Sequence, residues 1–245
     1  VEQCAVCQDV PEYAWLIARG DYDRALEVIL ARNPLPGVTG YVCTHLCQMR
    51  CTRNDYDETV TIRTLKRFAF EHGKLENWET GKLGSGSPNL PTYQSTKSPK
   101  VAVIGSGPSG LSAAAFLALN GVQVTVFEAR DVVGGMMRLV PSFRLPDAVI
   151  QEDVERITAL GVEIRLNQPI SQPPEELLAA GFEAVYIASG FQKDVPLPVE
   201  GVDGPGVYAA LDLLDRVRRG EKMDLGVKAL VIGGGDTAMD AARVA

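Results

Sequence analysis

The spacing of apolar residues changes once along the chain, near residue 100. Over residues 1–80 apolar positions follow a helical period and strand alternation is absent. Pro11 suits the first turn of a short helix through Leu16 and Ile17 that Gly20 ends. Asp21 is placed to cap a second helix, Tyr22 to Arg32, in which Ala25, Leu26, Ile29 and Leu30 form one apolar stripe. The run Asn33-Pro34-Leu35-Pro36-Gly37 stops it. A later helix, about Val60 to His72, sets Ile62, Leu65, Phe68 and Ala69 on one face. Residues 81–99 are rich in Gly, Ser, Pro and Thr and read as a linker.

From Lys100 the pattern becomes alternating strand and helix. VAVI (101–104), VTVF (124–127), VEIRL (162–166), AVYIAS (184–189) and ALVI (229–232) read as strands. Helices are expected at Pro108–Leu119, at Asp147–Leu160 and after ALVI. Such alternation implies a parallel sheet with right-handed crossovers, an α/β doubly wound domain of Rossmann type.

Two glycine turns punctuate this half. Gly105-Ser106-Gly107-Pro108-Ser109-Gly110 follows a strand and opens a helix, the arrangement that brings backbone N–H groups and a helix dipole to a pyrophosphate. Glu128 ends the next strand, 23 positions after Gly105, where a carboxylate can accept from ribose hydroxyls. Gly134-Gly135 lets backbone pass close to a cofactor, or is an ordinary turn. Gly233-Gly234-Gly235-Asp236-Thr237-Ala238 repeats the grammar with Ala in place of the third Gly. Two such motifs in one chain point to FAD at one and NAD(P)H at the other.

Composition narrows the choice. The 245 residues, 46% hydrophobic, are enough for one full core or two small ones. A net charge of -7 argues against a nucleic-acid partner. No apolar run approaches the ~20 residues that span a bilayer, and no leader precedes Val1, so a cytoplasmic protein is expected.

All five cysteines, Cys4, Cys7, Cys43, Cys47 and Cys51, fall in the first 51 residues. An odd number at one end argues against a disulfide framework and for metal or redox chemistry. The spacing C-x2-C-x35-C-x3-C-x3-C suits thiolates of [4Fe–4S] clusters, and zinc is the alternative. A flavin module alongside favours iron–sulfur, since zinc gives a flavin nothing to reduce. Arg50, Arg53, Arg63, Lys66 and Arg67 offset cluster charge or form a solvated face. The two histidines, His45 and His72, have packing or helix-end roles, and no Ser/His/Asp or Cys/His catalytic set can be assembled.

The segments VPEYAWLIARGDYDRALEVILARNPLPGVTGYVCTHLCQMRC, VAVIGSGPSGLSAAAFLALNGVQVTVFEA, GGMMRLVPSFRLP, YIASG and VIGGGDTAMDAARVA, in this order, resemble the glutamate synthase small subunit family, which includes the N-terminal part of dihydropyrimidine dehydrogenase. VEQCAVCQDVPEY followed by CTRNDYDETVTIRTLKRFAFEHG is most similar to selenate reductase iron–sulfur/flavin subunits of anaerobic bacteria. The resemblance implies a helical domain (1–80) with two [4Fe–4S] clusters, then an FAD domain (first segment 100–195) into which an NAD(P)H domain is inserted (starting in 196–245). Both ends read as cut short. Gly105, Gly107, Gly110 and Glu128 match the FAD fingerprint, with Pro108 and Ser109 inside its loop. Gly135, Arg144 and Leu145 match the GG…P-x-F-R-L-P stretch near the flavin, Ala188, Ser189 and Gly190 the Ala-Thr-Gly turn, and Gly233, Gly235 and Ala238, with Asp236 and Thr237 between them, the NAD(P)H loop. Relatives carry further cysteines upstream, and Cys51 belongs with the cluster those build. Cys4, Cys43 and Cys47 match the other cluster. Its fourth ligand in relatives is often a Gln or Glu on the following helix, where this chain has Lys66; Cys7 is the substitute thiolate, against a site of three cysteines with water or without a cluster.

The function expected is an NAD(P)H-dependent flavin and iron–sulfur oxidoreductase that passes electrons to an acceptor on another domain or subunit. The alternatives are a non-catalytic electron-transfer or scaffold subunit and a zinc-binding flavoprotein.

Overall fold

The computed structural model describes residues 3–74, 98–191 and 193–245. The expected linker, 81–99, lies outside the described residues except for its last two.

The first half is helical: α1 (Val10–Ala18), α2 (Tyr22–Leu30), α3 (Pro36–Val42), α4 (Leu46–Met49) and α5 (Ile62–His72), with a 3-10 turn at Thr52–Asp55. Asp9 and Asp21 cap α1 and α2 by accepting from the amides of Glu12 and Arg24, satisfying donors that a helix start leaves unpaired. The apolar stripes of α1, α2 and α5 meet in a core of Tyr13, Leu16, Ala25, Ile29, Ile62 and Ala69. Helix α3 is not foreshadowed by a cap of its own, since no side chain near Leu35 fills that role. The cap comes from the other half of the chain: both carboxylate oxygens of Asp153 accept from the amides of Gly37 (3.1 Å) and Val38 (2.8 Å).

The second half is β1 (Lys100–Ile104), α6 (Pro108–Leu119), β2 (Gln123–Phe127), a 3-10 turn at Gly135–Leu139, α7 (Asp147–Ala159), β3 (Glu163–Arg165), α8 (Pro174–Ala179), β4 (Ala184–Ile187), α9 (Ala210–Arg218) and α10 (Asp236–Val244). The four strands form one all-parallel sheet of order β3-β2-β1-β4, the doubly wound pattern expected. Alternate residues of β1 feed opposite faces. Val101 and Val103 pack with α6 and α7, whereas Ala102 joins Phe127 and Leu177 on the side of α8. The larger core also takes in Leu35, Val38 and Phe70 of the helical half, so α3 and α5 pack on the α7 side of the sheet.

One expected strand does not form. ALVI (229–232) joins no described strand, and Leu230 is 88% exposed. Four apolar residues make a strand only where a neighbour takes their N–H and C=O groups, and among the described residues none lies beside them. Helices α3, α8 and α9 lacked a sequence signal strong enough to read.

Candidate functional site

The carboxyl ends of β1, β2 and β4 meet in a row, where open α/β sheets take their ligands. The ladder continues one residue past the strands: Gly105 donates to Phe127 O, Ala188 to Ile104 O and Glu128 to Arg165 O. This sets Gly105, Glu128 and the Ser189-Gly190 turn side by side. Gly105 has φ +105, and a Cβ there meets Ala188 O at 2.4 Å; a Cβ on Gly110 meets Gly105 O at 1.9 Å. Only bare backbone closes this turn. The start of α6, with Gly107 as its N-cap and no side-chain cap, then presents its amides to the same edge.

Glu128 holds the loop from the next strand. Its Oε2 accepts from the amide (2.9 Å) and hydroxyl (2.5 Å) of Ser106, and its Oε1 from the amide of Arg130 (2.8 Å). Ser106, fully buried, also accepts from the amide of Gly134 through its carbonyl. That contact pins the Gly134-Gly135 turn against the loop, with Gly135 at φ +52 and packed on the Cα of Gly107. Ser106, inside the motif but not singled out by it, is thus the joint between the two glycine turns. These features fit a dinucleotide phosphate: free helix-start amides, close backbone and a carboxylate at the neighbouring strand end.

Other expected residues are placed differently. The Ser109 hydroxyl lies 3.0 Å from Tyr186 OH, and Pro108 is the first residue of α6. Arg144 donates to Asp240 of α10 at 2.7 Å. Leu145 is fully buried in the main core, not on the nucleotide edge. The second glycine motif is built locally: Gly233 has φ +127, Gly235 is the N-cap of α10, and Asp236, Thr237 and Ala238 form its first turn. No described strand flanks it.

In the helical half Cys4, Cys43 and Cys47 line one small pocket with Gln8, Val10, Tyr13, His45, Ile62, Arg63 and Lys66. Cys43 is the C-cap of α3, and the His45 amide points at its Sγ at 3.3 Å. His45 itself takes a left-handed turn, φ +45, at the start of α4. Arg63 fixes the same loop by donating to Cys43 O at 3.1 Å, and Gln48 accepts from the Arg63 amide at 3.0 Å. Burial, and then the neighbouring Cys4 and Cys43, push the Cys47 thiol up. Burial pushes the Lys66 ammonium down, and the three thiols pull it back. Tyr13, which no motif marked, is buried beside the same three cysteines, which with burial raise its phenol.

Cys7 and Cys51 stand apart from this pocket. Cys7 is exposed, at φ 50. The Cys51 thiol is held below its usual range by the amides of Val60 and Arg53. Of the five basic residues near the cysteines, Arg63 and Lys66 face the pocket. Arg53 pairs with Asp57, and Arg67 with Glu71. Among the described residues no three His, Cys, Asp or Glu side chains close on a single ion. A tetrahedral zinc needs all its ligands at roughly 2.0–2.3 Å from one point. Three thiols lining one pocket can serve three iron corners of a cubane.

A dinucleotide edge and a three-thiol pocket in one chain fit a redox protein of the flavin and iron–sulfur type. Comparison with known families gives the same class. Residues 99–245 match the pyridine nucleotide-disulphide oxidoreductase model, and residues 1–78 the model described as dihydropyrimidine dehydrogenase domain II, 4Fe-4S cluster. The chain belongs to the pyridine nucleotide-disulphide oxidoreductase family, with a 4Fe–4S domain at its amino end. The expected cofactors, FAD, NAD(P)H and [4Fe–4S], are those of these two domains.

The chain is 40% identical over its whole length to 23% of the Escherichia coli (strain K12) protein named as oxidoreductase YgfK. It is 35% identical over its whole length to 36% of the NADPH-Fe(3+) oxidoreductase subunit beta of Geobacter sulfurreducens. The glutamate synthase [NADPH] small chain of Escherichia coli is 33% identical over 98% of this chain and 52% of its own length. The chain therefore spans about a quarter to a half of these relatives. Among the described residues no helix is long and apolar enough to cross a membrane.

Proposed function

We propose that the protein of which this chain forms part is a cytoplasmic NAD(P)H-dependent oxidoreductase that feeds electrons from a flavin through [4Fe–4S] clusters to an acceptor on another domain or subunit. The observation that carries this reading is the shared core. Leu35 and Val38, on the approach to Cys43, pack with β1, α6 and α7 of the flavin half. A thiol ligand and a dinucleotide edge are held by one body.

FAD, when bound, accepts a hydride from nicotinamide and releases electrons one at a time. The chain's own residues bind and orient. Gly105, Gly107, Pro108, Ser109 and Gly110 form the phosphate turn, and Glu128 braces it while standing where ribose hydroxyls reach. Gly135, Ser189 and Gly190 border the same edge, and Arg144, paired with Asp240, and Leu145, in the core, hold the stretch that follows Gly135. Gly233, Gly235, Asp236, Thr237 and Ala238 serve the nicotinamide nucleotide. Cys4, Cys43 and Cys47 hold one cluster; Cys51 serves a second. Cys7, outside the pocket, is assigned no iron, so Cys7→Ser should leave iron content unchanged. No side chain is assigned a proton transfer to substrate. Residues 1–80 form the cluster domain, 81–99 join it to the flavin domain (100–195), and 196–245 begin the nicotinamide domain.

The names of the relatives support the reading, since two are NADPH-dependent and one reduces Fe(3+) as a subunit. The test is anaerobic turnover by the full-length protein with NADH or NADPH and ferricyanide. Sustained dye reduction supports an enzyme, whereas bound flavin that NAD(P)H does not bleach favours a scaffold subunit.

A further inference from the structure

Lys66 is 5% exposed, on the inner face of α5, and shares its pocket with the three thiols of Cys4, Cys43 and Cys47. Among the described residues its ammonium has no hydrogen-bond or ion-pair partner, although Arg53 and Arg67 nearby are both paired. An unpartnered ammonium this far from water costs several kcal/mol or more unless an anion faces it. Among the described residues no Asp or Glu lines the pocket, whose other polar walls are Gln8, Tyr13, His45 and Arg63. Gln8 already donates to Ile29 O, and Arg63 to Cys43 O. Among the described residues, the anions at hand are the thiolates and whatever they bind.

We propose that Lys66 is the built-in counter-cation of the cluster held by Cys4, Cys43 and Cys47, donating hydrogen bonds to its sulfur atoms and raising its reduction potential without ligating iron. The inference rests on the iron–sulfur reading above and adds to it how this chain tunes the centre. Reduction of the centre adds one electron and makes or breaks no bond, so the change in energy on reduction is electrostatic. A fixed positive charge in a poorly solvated pocket favours the more negative, reduced form. A protonated amine has no lone pair for iron, which separates this role from that of a ligand.

The experiment is potentiometric EPR on anaerobically purified full-length protein, with this cluster's signal identified by its loss in Cys43→Ser. Lys66→Met and Lys66→Gln should keep iron and labile sulfide. At the potential where the wild-type centre is half reduced, their reduced-to-oxidised ratio should be lower by at least about tenfold, which is about 59 mV for a one-electron couple. Lys66→Arg, which keeps the charge, should stay within about threefold of wild type. A Lys66→Met cluster with an unmoved midpoint overturns this inference alone; wild-type protein without iron and labile sulfide overturns it together with the function proposed above. Should Lys66→Met assemble no cluster, ENDOR of the wild-type protein labelled with 15N-lysine decides. Exchangeable protons and a weak lysine nitrogen coupling support the proposal; a coupling of the size of an Fe–N bond, or none, overturns it.

Discussion

Gly110 has room for hydrogen and nothing more. A methyl group there sits 1.9 Å from Gly105 O, inside the turn that joins β1 to α6. Neither the strand carbonyl nor the helix start can retreat without opening the sheet edge. Gly110→Ala should therefore abolish flavin retention, read as loss of the bound-flavin absorbance after gel filtration. Glu128→Ala acts on the same loop from the other side. It leaves the amides of Ser106 and Arg130 without their acceptor, and should lower stability by about 2 kcal/mol in urea unfolding. The strand–glycine–helix turn was legible from sequence because it is a local object, written in a few consecutive positions. Ser106 and Tyr13 were not, because their roles depend on what folds against them.

At the scale of elements, Asp153 shows why sequence reading reached α2 and missed α3. Helix α2 carries its own cap, Asp21, and its own apolar stripe. Helix α3 has no cap of its own; its cap reaches it from α7, more than a hundred residues away in sequence. Asp153→Ala strands two buried amides and should cost about 3 kcal/mol. Its carboxyl is pushed up to about 7 by burial, against the pull of the Val38 and Gly37 amides and of Arg156, with Glu152 adding to the rise.

The sign follows from proton counts. Between about 4 and about 7 the folded state holds a proton on Asp153 that the unfolded state has released, so stability from this residue falls as pH rises through that window. Asp153→Asn cannot lose that proton. The difference in unfolding free energy, wild type minus Asp153→Asn, should decline from about pH 4 to about pH 7 and then level off. A flat difference would rule out this assignment. ALVI (229–232) teaches the converse: its composition favours a strand, but a strand is a relation between neighbours, and composition alone does not supply one.

Across the whole molecule, helices α9 and α10 are joined to the flavin half by ion pairs as well as packing. Asp147 accepts from both Arg138 and Arg218, Arg130 pairs with Asp215, and Arg144 with Asp240. Asp147 is 58% exposed, so its pairs are screened and weak, under about 1 kcal/mol together. Asp147→Asn should speed amide exchange in α9, measured by mass spectrometry, with little change in the midpoint of global unfolding.

The interleaving of Leu35, Val38 and Phe70 with the flavin-side core has a different reach. Where two redox centres ride on separate lobes, the gap an electron must tunnel across varies with the tether. Here close-packed side chains set that gap, and chain length between residues 74 and 98 does not. Lengthening that stretch, or nicking it with a protease, should leave the two halves co-migrating and the rate of electron passage between them intact.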